Sequence, residues 1–312
     1  MELLHQSSLP SFIISPISYL YTDSALLTTS PTYHLLIRFL TLLIPVIAFL
    51  YLYRDYQSFL SLGPGGTPST PLGYAKIKIL SIVSLRNPCR PLPVPPHFRP
   101  QNGYLSSLPR REGERPVVRG IAPQRQQTQK SPAGVYEILV EKLRELARDP
   151  ENKLVERTSC FEKHSSGLFT SVPLTRTCRG EICHAHPSDG SLHMTLHPAD
   201  AKVVIENEWG ERHPLAKGGW FRRFVPREFV LVYAPRSDEE VETVVRIVDA
   251  GVWWVSGVDV RKERIENLEK EQRRMKDVGG ENVTREVSQK ECWACRVHGC
   301  GRGGVGRMVG DA

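Results

Sequence analysis

The strongest constraint on the fold of this chain is the run Glu181–His197, EICHAHPSDGSLHMTLH. Two alternating stretches flank Pro187-Ser188-Asp189-Gly190, residue types that favour a turn. Side chains alternate between the two faces of a strand. If His186 pairs with Ser191, then His184 lies opposite His193 and Ile182 opposite Thr195. One face of the hairpin then carries Cys183, Ala185, Leu192, Met194 and Leu196, and the other carries His184, His186, Ser191, His193, Thr195 and His197. A slip of one residue would set His184 beside the apolar face of the second strand, so the pattern itself selects the register.

The elements around the hairpin fit one α+β unit. Ser131-Pro132 reads as an N-cap and first-turn proline before Val135, Ile138, Leu139, Leu143 and Leu146, which recur at helical spacing. Leu154–Phe161 and Gly167–Val172 have strand character, and Pro198 opens a helix that Gly210 is expected to end. Glu228–Ala234 reads as a strand, and Ser237-Asp238-Glu239-Glu240 as a capping box before Val241, Val244, Val245 and Val248. Consecutive antiparallel strands with helices before and after predict a two-layer sandwich: a mainly antiparallel sheet with helices on one face. The apolar hairpin face belongs under those helices. The imidazole face is left to solvent or to a cleft covered by the proline-rich segment that precedes the domain.

Leu35–Tyr53 (LLIRFLTLLIPVIAFLYLY) is close to the length that crosses a bilayer as a helix. It is interrupted by Arg38, placed to snorkel, and by Pro45, which would kink it. No lysine or arginine precedes it, whereas Arg54, Lys76, Lys78, Arg86 and Arg90 follow. The positive-inside rule therefore predicts a single-pass protein with its C-terminal bulk in the cytosol; the endoplasmic reticulum would suit such an anchor. Gly73–Leu85 is too short and too charged to span, and reads equally as a membrane-surface segment or as an element packed on the main domain. The expected organisation is a non-cytosolic tail over 1–34, an anchor over 35–53, a proline-rich membrane-proximal segment over 54–130, the α+β domain over 131–257, and a charged, Gly- and Cys-rich, disordered tail over 258–312. Gly63-Pro64-Gly65-Gly66 reads as a linker turn.

A net charge of +7 raises nucleic acid as a partner. The arginines between Arg86 and Arg125 are interleaved with prolines rather than aromatics, so anionic membrane lipid is the better match and no nucleic-acid partner is expected. Seven cysteines lack disulfide-framework spacing, which suits a reducing compartment. No phosphate loop, nucleophile elbow or dinucleotide fingerprint is present.

Three readings of the histidines stay open. His184, His186 and His193 can approach one point and hold a metal ion, although Glu181 and Asp189 are expected to point elsewhere or to sit in the turn. Alternatively the imidazoles act as general acid and base, with His213 as a further ring and Arg212 as a fixed cation that stabilises an enolate or carboxylate. The third reading is a polar sheet face without chemistry. Cys183 alternates away from the imidazoles, which disfavours a Cys-His nucleophile.

A set of segments carries a family resemblance: Arg54–Leu60, Gly63-Pro64, Gly73-Tyr74, Leu108-Pro109, Arg111-Glu112-Gly113, Arg115-Pro116, Gln124-Arg125-Gln126, Thr128-Gln129, Glu181-Ile182, His184-x-His186, Leu192-His193, Trp209–Ala216 and Tyr233–Arg236. In order and number these resemble the fungal luciferases and their luciferase-domain relatives. The resemblance implies oxidation of a hydroxylated hispidin, a styryl-pyrone, by O2 with release of CO2 and without flavin or nicotinamide. It also implies His184, His186, His193, Arg212 and His213 as catalytic residues and sets His197 aside.

The expected function is thus a membrane-anchored oxygenase acting on a pyrone or other phenolic metabolite, with O2 as co-substrate, no bound cofactor, and a histidine-held metal less favoured. The alternatives are a non-catalytic membrane-tethered binding protein for an aromatic or acidic small molecule and a histidine-ligated metal-dependent enzyme. Trp220–Phe224 departs from the family pattern and is expected to reshape a pocket. In the tail, Val260–Val278 reads as a charged helix, Cys292, Cys295, His298 and Cys300 imitate a zinc motif at too tight a spacing, and Asn282-Val283-Thr284 is a sequon without use in the cytosol.

Overall fold

A computed structural model describes residues 31–262 of the protein. The tail motifs from residue 263 onward and the first 30 residues lie outside the described part. In chain order the elements are α1 (Pro31–Leu60), α2 (Pro71–Ile82), β1 (Val118–Gly120), β2 (Gln124–Gln126), α3 (Ala133–Arg148), β3 (Leu154–Thr158), β4 (Ser166–Thr170), β5 (Glu181–Ala185), β6 (Leu192–Thr195), α4 (Pro198–Glu206), β7 (Gly210–Arg212), β8 (Phe229–Val232) and α5 (Asp238–Ser256).

The hairpin register is the one its pattern selects. Cys183 pairs with Met194, His184 with His193 and Ala185 with Leu192. The turn closes through Gly190, whose φ of +81° and position against Ser131 both require the absence of a side chain. Around this hairpin an antiparallel sheet runs in the order β3-β4-β5-β6-β8-β7, and β1 and β2 form a separate ribbon.

Helices α3, α4 and α5 cover one face of the sheet. Leu139 and Leu146 from α3, Val204 from α4 and the valines of α5 pack with Cys183, Ala185, Leu192, Met194, Val230 and Val232 in one apolar core. The fold is therefore α+β, with helices on one side of an antiparallel sheet. Ser237 caps α5 by accepting from Glu240 N–H, as the capping pattern requires. At α3 the cap position is Pro132, and Ser131 instead donates its hydroxyl to the Pro235 carbonyl at 2.6 Å.

Gly210 does not end α4. That helix stops at Glu206, and Gly210 begins β7, where a Cβ would sit 2.5 Å from the Leu231 carbonyl oxygen. The strand was hidden by its length: three residues give no alternation to read.

The opposite face of the sheet is covered by segments that precede the sheet in the chain. Phe59 at the end of α1, Ile77 of α2 and Ile121 beside the β1–β2 ribbon pack with Leu215, Val225 and Phe229. The turn at Gly63–Gly66 belongs to this cover rather than to a loose linker. A Cβ on Gly65 would meet Pro123 at 2.7 Å, and one on Gly66 would meet the Phe161 carbonyl oxygen at 2.6 Å.

Helix α1 is long and apolar enough to cross a membrane, and its apolar window is not buried in the protein. Its last turns join α2, where Asp55 accepts from the Tyr74 hydroxyl and pairs with Lys78 at 2.9 Å. Helix α2 combines both features expected of its segment: Ile77 is buried, while Leu72, Ile79 and Ile82 are exposed.

Ile247 of α5 is fully buried in the helix-side core. Ile247→Ala is expected to lower unfolding free energy by about 2–5 kcal/mol. Chemical unfolding monitored by tryptophan fluorescence checks this.

Candidate active site

The imidazole face is buried, and the reason begins with an irregularity in the sheet. Between β4 and β5, Leu168 pairs with Cys183 and Phe169 with Glu181, so Ile182 has no partner on β4. An extra residue of this kind re-aims the side chains beside it. Ile182 joins Cys183 in the helix-side core, while Glu181 comes onto the imidazole face, its Oε1 2.7 Å from His184 Nδ1. Strict alternation had placed Glu181 elsewhere, and this is a correction to that reading.

Each of three imidazoles is oriented by a polar partner on one nitrogen. Glu181 accepts the Nδ1–H of His184, whose Nε2 is buried and without a hydrogen-bond partner. Ser191 Oγ donates to Asp189 Oδ1 at 2.6 Å and so accepts from His186 Nδ1 at 2.9 Å. The Nε2 of His186 is likewise buried and without a hydrogen bond, with Glu162 Oε2 4.0 Å away. Gln124 donates its amide N–H to Glu211 at 2.9 Å, which turns its carbonyl oxygen to His193 Nε2, also at 2.9 Å. His193 therefore carries its proton on Nε2 and its lone pair on Nδ1. The donor atoms that the three rings offer lie within 4.8 Å of one another. Asp189 thus acts on the imidazole face from within the turn.

His213 stands beside His193, with ring centroids 5.3 Å apart, but both of its nitrogens are engaged. Nε2 donates to the Ile121 carbonyl at 2.9 Å and Nδ1 accepts from Leu215 N–H at 3.1 Å. Burial pushes its pKa down from 6.5 to about 4. Burial also lowers His186, and it holds His193 well below the ordinary imidazole range, helped by the neighbouring rings.

Arg212, expected at the site, is elsewhere, and His197, which alternation alone put on the imidazole face, is not on it either. On β7 alternate side chains face opposite ways, so Glu211 meets Gln124 while Arg212 turns toward α4. Arg212 donates to the Ala216 carbonyl and lines a separate cavity with Ile205, Arg227 and Glu228; burial lowers its pKa to about 10. It does not reach the imidazoles as the expected electrostatic partner. His197 also leaves their face, because β6 ends at Thr195 and the alternation stops with it. It caps α4 by accepting from Ala199 N–H and packs edge-on against Trp254 at 4.7 Å.

The imidazoles border a cavity of about 250 Å3, near the lower end of small-molecule sites. His184, His193 and His213 line it with Phe161 and Phe229, and Phe229 stacks on His193 at 5.2 Å. Exposed Lys76, Lys163 and Arg223 contribute cations to its lining. Arg223 and Phe224 arrive on the short helical turn of the Trp220–Phe224 segment, which does shape this cavity. Glu162 joins the lining and pairs with buried Arg125 of β2. Cys183 lies on the far side of the sheet, and burial pushes its thiol up to about 12.

The antiparallel sheet thus buries oriented imidazoles beneath a strap of preceding chain. The Luciferase domain family matches residues 179–251, which contain all four of these histidines. The chain is 32% identical to the luciferase of Neonothopanus nambi over 226 residues, 67% of this chain and 83% of that protein. It is 32% identical to the luciferase of Armillaria mellea over 231 residues, 68% and 84% of the two chains. The protein belongs to the fungal luciferase family. No solved structure matches it.

His213 is neutral in the folded protein but protonates near 6.5 once unfolded, so the unfolded state binds more protons between these values. Stability is therefore full above pH 6.5 and declines as pH falls toward 4, by about 3 kcal/mol from this residue at ~1.4 kcal/mol per unit. Denaturant titrations at stepped pH check this; His213→Gln is expected to flatten the decline.

Proposed function

We propose that this protein is a luciferase-like oxygenase that brings an enolic pyrone or related phenolic molecule together with O2 in the imidazole-lined cavity. The observation that carries this reading is the burial of three imidazoles whose ligand-capable nitrogens lie within 4.8 Å of one another, beside an aromatic-walled cavity. An enol or phenol that gives up its proton there becomes an electron-rich anion. Both electrons needed to reduce O2 then come from the substrate, so flavin and nicotinamide are not required. Lys76, Lys163 and Arg223 suit an anionic molecule entering this space, and Phe161 and Phe229 suit a flat ring. The relatives are luciferases by name, which supports the same class of reaction.

Oxygen uptake with a panel of hydroxylated pyrones and catechols tests the proposal. Uptake with formation of an oxidised product is expected, and His184→Ala or His193→Ala should lower kcat/KM by at least about 100-fold, the scale of removing a group that acts in the transition state. Full activity in both variants would remove the site from the reaction. Saturable ligand binding with no oxygen uptake would instead make the protein a small-molecule carrier.

We further propose that α1 anchors the protein with the sheet domain on the cytosolic side. Its exposed apolar surface, the exposed Leu72, Ile79 and Ile82 of α2, and the basic residues after the span support this placement. Residues 54–262, expressed without the apolar span of α1, should lose sedimentation with membranes. Unchanged sedimentation in carbonate wash would contradict anchoring by this helix.

A further inference from the structure

We infer that His184, His186 and His193 form a binding site for one divalent transition-metal ion. The site stands on its own geometry; any part the ion takes in oxygenation rests on the function proposed above.

Four observations converge. First, the donor pattern is complete: two Nε2 atoms from His184 and His186, two apart on β5, and Nδ1 of His193 from the paired position on β6. Second, the Nε2 atoms of His184 and His186 are buried and have no hydrogen-bond partner. A buried polar atom left unpaired is costly, and a metal ion satisfies lone pairs that cannot reach a donor. Third, each ring is held from behind, by Glu181, by Ser191 with Asp189, and by Gln124 with Glu211. Such partners fix the tautomer and raise the basicity of metal-binding imidazoles. Fourth, the surrounding charge suits a cation. Glu181 and Asp189 stand behind the rings of His184 and His186, and Glu162, paired with Arg125 through one oxygen, has its other oxygen 4.0 Å from His186 Nε2.

The donor atoms lie within 4.8 Å of one another. Three nitrogens at about 2.0–2.1 Å from a tetrahedral ion stand roughly 3.3 Å apart, so the rings must close by at most about 1.5 Å. Small side-chain rotations supply this. Neutral imidazoles favour zinc, iron, copper or nickel over magnesium and calcium. Three protein ligands leave a coordination position open, as catalytic sites do, and His184 and His193 both border the cavity.

The test uses the full-length chain in detergent, without a polyhistidine tag, stripped with chelator and titrated with Co2+ while visible ligand-field absorption is recorded. One equivalent is expected, with elemental analysis giving the same stoichiometry after Zn2+ loading and gel filtration. His184→Ala and His193→Ala should abolish that equivalent, while His197→Gln keeps it. Glu181→Gln, which preserves shape, should weaken binding by about 10–100-fold. Co2+ held by tail cysteines would survive the histidine substitutions, so the difference between wild type and variant is the readout. Equal binding by wild type and His193→Ala, or no equivalent retained by folded wild type, would overturn the inference. The titration contains no substrate, so its failure is distinct from a failure of oxygen uptake.

Discussion

A carboxylate buried among imidazoles must have its lone pairs occupied, and Glu181 meets that demand with three donors. Its Oε1 accepts from the Ser159 hydroxyl and from His184, and its Oε2 accepts from Cys160 N–H at 2.7 Å. Those bonds fix the segment after β3, which sets Phe161 over the imidazole face and brings Glu162 to Arg125. Arg125 lies in β2 between Gln124, which orients His193, and Gln126, which accepts from Ala234 N–H at 2.9 Å. The strap over the sheet is thus pinned through the same groups that orient the rings. Removing one member of a buried charged network leaves the rest uncompensated, so the cover and the site stand or fall together.

This coupling gives the site its chemical character. Protection from water holds His186 and His193 below the ordinary imidazole range. It also strengthens every interaction with charge that develops inside. Phe161 and Phe229 wall the cavity and Lys76, Lys163 and Arg223 stand in its lining, in a protein of the fungal luciferase family. Helix α1 leads directly into the strap, so the element long enough to cross a membrane is joined to the cover of the cavity through Phe59 and Tyr74.

The hairpin was legible because two strands with unlike faces admit only one sensible register, and His184 opposite His193 follows from it. The helices were legible from their stripes and caps. What alternation concealed was local departure from it. The unpaired Ile182 brought Glu181 to the imidazoles, the end of β6 took His197 away, and three-residue β7 turned Arg212 outward and Glu211 inward. Gln124 and Glu162 were out of reach for another reason. Gln124 sits in the proline-rich strap and Glu162 in the loop after β3, and neither segment carries a periodicity that would place its long-range contacts. The motif Gln124-Arg125-Gln126 was visible as part of the family resemblance, although its role depended on the fold.

The central claim is that the three imidazoles converge on one point in the protein's interior. X-ray absorption at the edge of a bound metal measures that convergence directly. The account predicts a nitrogen and oxygen shell at about 2.0–2.1 Å with the outer-shell scattering of three imidazole rings. A sulfur shell at about 2.3 Å, or a first shell of oxygen without imidazole scattering, would contradict it.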